Sequence, residues 1–133
     1  MNILLLVGLG GFSGAVLRYV IGRWVLDFSV RSEFPYPTLF VNVIGCLLIG
    51  MLYGISEERN FLNDEVRGLL AVGFLGGFTT FSAFSIETLT LLRDGLVLHA
   101  IYNITLQFVA TLGAVSFGFY AARSVAGYLT SST

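Results

Sequence analysis

The sequence predicts an all-α integral membrane protein, a single domain over residues 1–133 with four transmembrane helices, the third broken near the bilayer midplane. Three observations predict it. The 133 residues are 56% hydrophobic and only 11% charged, with a mean hydropathy of +0.86, whereas a water-soluble domain carries about 25% charge. That excludes a soluble monomer. The apolar residues fall into four long runs at 3–26, 37–55, 66–92 and 96–122, and the charge collects between them. One run also carries paired glycines and threonines at its centre, a composition that sustains a helix poorly. Crossing the hydrocarbon core takes about 20 residues, so four spans use the chain and leave no room for an extramembrane domain.

The first run begins at the N-terminus and is apolar like a secretion signal. It lacks a basic n-region, and Arg18 and Tyr19 stand where a small-residue cleavage site belongs, so it reads as a retained helix. Gly10 and Gly14 give it a small-xxx-small face suited to close helix approach. Arg18, about two turns from the end of the run, can snorkel to the interface or pair with a carboxylate. The link at 27–36 holds Arg31, Glu33 and Pro35. The second run carries Asn42 at middle depth, the single Cys46, and a further small pair, Gly50 and Gly54. One cysteine builds neither a disulfide framework nor a thiolate metal cluster within a chain, and Cys46 reads as a small core residue. A buried amide in lipid marks either a functional position or an interhelical hydrogen bond that holds the bundle together. For Asn42 both readings stand.

The second link, 56–65, holds Glu57, Glu58, Arg59 and Asp64. In the third run, residues 73–85 read GFLGGFTTFSAFS, which predicts an interruption at 76–80 around Thr79, the middle residue of the run. Irregular backbone at that depth is tolerated only inside protein or beside water, and unwound carbonyls there commonly hold a cation; a hard ion such as sodium suits oxygen donors. A packing kink whose carbonyls bond threonine hydroxyls accounts for the same residues. Beyond it, Phe78, Phe81 and Phe84 recur every three residues, as do Thr79, Ser82 and Ser85. Aromatic rings have positive edges, so such a stripe can solvate a small anion, or it can face lipid. The hydroxyls beside it favour the first reading. Glu87 lies close to Arg93 and to the interface, and Arg93, Asp94 and Gly95 make a tight turn. On the fourth run Asn103, Gln107 and Thr111 repeat every four residues on one face, read here as a wet pathway rather than as glue between helices. His99 reads as an interface anchor, and Ala110, Ala114 and Gly118 as packing residues. The glycosylation-like triplet Asn103-Ile104-Thr105 lies inside a span and is discounted.

All seven basic residues are arginines, scattered singly, which leaves no basic patch for nucleic acid. With four spans, Arg59, Arg67 and Arg123 fall on one side of the membrane and Arg23, Arg31 and Arg93 on the other. Orientation follows an excess of basic residues on the cytoplasmic side, and here there is none. The sequence therefore predicts insertion in both orientations and an antiparallel, dual-topology homodimer whose two breaks meet on the twofold axis; a dominant first helix or a misplaced boundary would give one orientation instead. Neither a catalytic serine, a metal-spaced His/Asp/Glu cluster nor a phosphate loop is present in the sequence, so no enzyme is expected.

The segments at 10–19 (GGFSGAVLRY), 38–42 (TLFVN) and 76–85 (GGFTTFSAFS) resemble the signature segments of the Fluc (CrcB-type) fluoride channels, in order and over nearly the whole chain. The resemblance implies an antiparallel homodimer with two pores in the bacterial inner membrane. Its role would be passive export of fluoride, which enters as HF from acid surroundings and is trapped inside as the anion. Residue by residue it implies Phe81 and Phe84 as pore phenylalanines, with Ser82 and Ser85 beside them, and Asn42 as the pore asparagine. It implies a polar track of Asn103 and Thr111 with Gln107 between, and a structural sodium on the backbone carbonyls of Gly76 and Thr79. Ala83 stands where the family usually has threonine, which removes one hydroxyl beside the expected pore. The expected partners are fluoride, a second copy of the chain and membrane lipid, with no nucleic acid. The rival is a small multidrug-type proton-coupled antiporter, which needs an acid within its first helix; none precedes Asp27. A packing or assembly protein would explain the glycines but leave the polar track without purpose.

Overall fold

The computed structural model of the chain describes residues 2–29, 32–59 and 62–131. Arg31 and the side chain of Arg59, two members of the arginine count, lie outside the described part. Every regular element among the described residues is helical. They are α1 (Ile3–Phe28), α2 (Tyr36–Arg59), α3 (residues 64–78), α4 (Phe81–Arg93) and α5 (Val97–Ser131). Four segments are long and apolar enough to cross a membrane: Ile3–Phe28, Tyr36–Glu58, Asp64–Arg93 and Val97–Leu129. The third of these contains both α3 and α4.

Local chemistry sets the helix ends. Asn2 caps α1 by accepting the Leu4 N–H at 3.0 Å, and Asn63 caps α3 by accepting the Val66 N–H at 2.8 Å, each satisfying a donor the first turn leaves open. At the end of α4, Gly95 takes φ +77°. The Leu96 N–H then reaches the Leu91 carbonyl at 2.8 Å and the Gly95 N–H the Leu92 carbonyl at 3.2 Å, a Schellman closure that turns the chain directly into α5. That helix runs beyond the apolar run ending at residue 122. Its 35 residues span about 52 Å at 1.5 Å per residue, well over the roughly 30 Å hydrocarbon core. The projecting end is tied down where Arg123 meets Glu57 at 3.2 Å and Glu58 at 3.1 Å on α2.

Packing rests on two close helix pairs. In the α1–α3 pair, a Cβ placed on Gly14 would lie 2.1 Å from the Phe74 carbonyl oxygen, and one on Gly10 2.2 Å from that of Leu69. In the α2–α5 pair, a Cβ on Gly54 would lie 2.2 Å from the Phe119 oxygen and one on Gly118 2.4 Å from the Leu47 oxygen. Backbone therefore touches backbone, as small residues permit in lipid. Ala110 and Ala114 are only half-buried.

The helix α3 departs from the expected geometry. It opens as an α-turn at Asp64–Val66, widens to a π-helix over Arg67–Leu75, and returns to α at Gly76–Phe78. A π segment is rare, and the glycines of α1 lie against this one.

Candidate functional site at the broken third span

The interruption narrows to two residues. Gly76–Phe78 remain helical, while Thr79 (φ −87°, ψ 160°) and Thr80 (φ −152°, ψ 117°) are extended. Phe78, 1% exposed, anchors the end of α3 and stacks on Phe74 with ring centroids 6.2 Å apart. The Thr79 hydroxyl donates to the Leu75 carbonyl at 3.1 Å. Threonine, stiff at χ1 and at home in extended backbone, suits both positions.

Asn42 on α2 serves Thr80 as a neighbouring strand would. Its Oδ1 accepts the Thr80 N–H at 2.8 Å, and its Nδ2 donates to the Thr80 carbonyl at 3.0 Å. The Thr80 hydroxyl in turn accepts the Ala83 N–H at 3.2 Å and caps α4. In an unbroken helix the Thr80 N–H would serve the Gly76 carbonyl, and the Ala83 N–H that of Thr79. Both donors are diverted to side chains, so these two carbonyls lose their helical partners. Such released oxygens form a donor set that fits a hard cation. The approach of α2 is possible because residue 45 is glycine: a Cβ there would sit 2.2 Å from Thr79 Cγ2.

The second Nδ2 hydrogen of Asn42 reaches Gln107 Oε1 at 3.3 Å. That bond fixes the orientation of the Gln107 amide and leaves its Nε2 buried with no partner among the described residues. One turn earlier on α5, Asn103 is fully buried and its Nδ2 donates to the Thr88 hydroxyl at 3.0 Å. Thr88 gives its only hydroxyl proton to the Phe84 carbonyl at 2.8 Å, so it must accept from Asn103. One turn later, the Thr111 hydroxyl donates to the Gln107 carbonyl.

These groups surround a cavity of about 200 Å³, lined by Asn42, Cys46, Thr79, Thr80, Phe81, Phe84, Gln107, Phe108 and Thr111. No charged side chain is among them. Phe81 and Phe84 lie 5.3 Å apart at 57°, and Phe84 meets Phe108 edge to face at 6.4 Å and 90°. Phe84 is 7% exposed and Phe81 72%, so the wall is open on the Phe81 side.

Of the residues singled out from sequence, Asn42, Phe81, Phe84, Gln107, Thr111 and Thr79 come together in this cavity. Asn103 lies beyond the lining, in the chain that links it to Thr88. Ser82 and Ser85 do not line the cavity: both are exposed, Ser85 bonding the Phe81 carbonyl at 2.9 Å and Ser82 the Thr80 hydroxyl at 3.2 Å. Gly76 is exposed and Thr79 half-buried. Sequence reasoning missed Thr80, whose partner is 38 residues away in the chain. It also missed Phe108, and Thr88, which shares a helix face with Phe84 at spacing four and was legible on that ground. Glu87, placed at the interface from sequence, is half-buried and accepts the Thr38 hydroxyl, with its other oxygen buried and unpartnered among the described residues. Arg18 is half-buried too, its Nε unpartnered among the described residues.

Comparison with known proteins places this geometry in context. Residues 5–119 match the family model described as CrcB-like protein, Camphor Resistance (CrcB). A relative from Methylobacillus flagellatus, named fluoride-specific ion channel FluC, is 47% identical over 115 residues, 86% of this chain and 90% of its own. The protein named fluoride-specific ion channel FluC 1 in Methanosarcina acetivorans is 40% identical over 129 residues, 97% of each chain. FluC of Shewanella loihica is 44% identical over 118 residues, 89% of this chain and 94% of its own. With the family model covering most of its length and such relatives matched nearly end to end, the chain belongs to the CrcB-like family.

Proposed function

We propose that this multi-pass membrane protein is a fluoride-specific channel that lets cytoplasmic fluoride leave down its electrochemical gradient. Its activity is transport and not catalysis. The observation that carries the reading is the uncharged cavity at the break, lined in part by Gln107, an orientation-locked amide that keeps a buried donor without a partner among the described residues. Fluoride is small and a strong hydrogen-bond acceptor, so N–H and O–H donors and the positive edges of Phe81 and Phe84 can replace its water. Conduction requires binding strong enough for entry and weak enough for exit. A lining without a fixed cation meets the second condition. The names of the relatives, all fluoride-specific ion channels, support the same substrate.

The working unit is an antiparallel homodimer with two pores, in the inner membrane of the cell. Phe81 belongs to the cavity wall yet is 72% exposed, which leaves that side open for a second copy to close, and the balanced arginines support mixed orientation. The Gly76 and Thr79 carbonyls would hold a structural sodium, whose charge would fix the broken ends of two chains against each other.

Efflux from proteoliposomes tests the function. Loaded with potassium fluoride and given valinomycin, they should release fluoride rapidly without a proton gradient and retain chloride. Release that demands a proton gradient would favour the antiporter, and silence from a folded preparation would end the channel reading.

A further inference from the structure

We propose that Asn103 is a positioning residue of the fluoride pathway: when an anion enters the cavity, Asn103 Oδ1 takes the Gln107 Nε2 hydrogen, and the turned Gln107 leaves the second Nδ2 hydrogen of Asn42 to that anion. The inference rests on the pathway proposed above. Two hydrogen-bond chains of fixed direction lead to it. From the wall, the Phe84 carbonyl takes the Thr88 proton at 2.8 Å, so Thr88 accepts from Asn103 Nδ2 at 3.0 Å, and the free end of that chain is an acceptor, Asn103 Oδ1. From the break, the Thr80 N–H fixes Asn42 Oδ1, so Asn42 Nδ2 donates to Gln107 Oε1, and the free end is a donor, Gln107 Nε2. Both ends are buried without a partner among the described residues, in side chains 0% and 6% exposed. Asn103 and Gln107 stand one turn apart on the same face of α5, a spacing at which such amides bond along a helix. An unmatched acceptor and an unmatched donor, each costly alone, are therefore neighbours.

What holds Gln107 away from Asn103 is its bond to Asn42. At 3.3 Å it is the longest of the three that Asn42 makes and lies beyond the usual N–H···O range. Asn42 lines the cavity, and a fluoride ion there competes for the shared hydrogen as a charged acceptor, which binds a donor about twice as strongly as a neutral one. Gln107 Nε2 is enclosed by protein and does not serve the ion from where it stands. The Gln107 Oε1 beside Asn42 carries partial negative charge and repels the ion. Turning Gln107 towards Asn103 withdraws that oxygen and exchanges one amide–amide bond for another, so the bond between Asn42 and the ion is added at little cost to the protein. When the ion leaves, Asn42 takes Gln107 back.

Gln107 is the chain's single glutamine, so isotopic labelling of glutamine side-chain nitrogen gives one amide signal in magnetic resonance of the whole reconstituted protein. Sodium fluoride added to wild type should move the proton of that amide downfield, as the bond to Asn103 forms, while sodium chloride leaves it in place. In Asn103→Leu, which keeps the volume and lacks the acceptor, the shift should vanish and the fluoride concentration for half-maximal efflux should rise several-fold. Thr88→Val breaks the bond between Thr88 and Asn103 as well but leaves Oδ1, so its half-maximal concentration should stay near that of wild type. Equal rises in the two variants would make Asn103 a packing residue and overturn the inference. An amide signal unmoved by fluoride in wild type that conducts would overturn it too and leave the pathway standing, with no variant required to fold. Absence of efflux from folded wild type would overturn the channel reading, and this inference with it.

Discussion

Asn42 spends its amide on three hydrogen bonds, two to the backbone of Thr80 and one to Gln107, so one side chain both holds the break open and orients a neighbouring donor. Asn42→Ala would strand the N–H and carbonyl of Thr80 at membrane depth, at about 1–3 kcal/mol for each unsatisfied group. The variant is expected to unfold at lower temperature in detergent and to conduct fluoride poorly. Gln107→Met removes an Nε2 without a partner among the described residues together with the Oε1 that accepts from Asn42, one hydrogen bond against the two that Asn42→Ala strands on Thr80. Its thermal unfolding should fall less than that of Asn42→Ala while liposome efflux falls; unchanged efflux would take Gln107 out of the pathway. Asn42, Gln107 and Phe84 were legible in the sequence because polar and aromatic positions stand out within apolar runs. The role of Thr80 was not, since it rests on backbone groups meeting a side chain 38 residues away. Ser82 and Ser85 fall outside the cavity because each stands one residue beyond Phe81 and Phe84, about 100° around a helix of 3.6 residues per turn.

Close approach between helices depends on a few glycines, and their surroundings differ enough to test. A Cβ at Gly14 would lie 2.1 Å from the Phe74 backbone oxygen, whereas nothing lies within 4 Å of one at Gly113. Gly14→Ala is therefore expected to separate α1 from α3 and lower the yield of folded protein by size-exclusion chromatography. Gly113→Ala should leave it unchanged or raise it slightly, since alanine is the better helix former by about 1 kcal/mol. Equal behaviour of the two would contradict the packing described. The cap on α4 gives a smaller effect: Thr80→Val removes the acceptor for the Ala83 N–H and should cost about 1 kcal/mol, seen in thermal unfolding. The sequence marks Gly10 and Gly14 as packing residues by their spacing, and the Asp94-Gly95 turn by composition. It carries no mark of the π-helix at Arg67–Leu75, because no residue there prefers that geometry.

At the scale of the whole molecule, scarcity of charge has two consequences. It gives four membrane spans, and it leaves few arginines, divided three against three between the two predicted sides. Reporters for each side of the membrane, fused to the C-terminus, should both be active, and a signal from one side alone would end the antiparallel arrangement. Arg123 sits between Glu57 and Glu58, but acidic partners contribute little to topology, so it still counts in that balance. The same scarcity leaves the cavity lined by amides, hydroxyls and ring edges, which in the proposed channel would hold an anion without trapping it. The reversal potential of the current across a planar bilayer tests that account most directly. It should follow the fluoride gradient and stay unmoved by opposing chloride or proton gradients; a potential that tracks chloride or protons would contradict it.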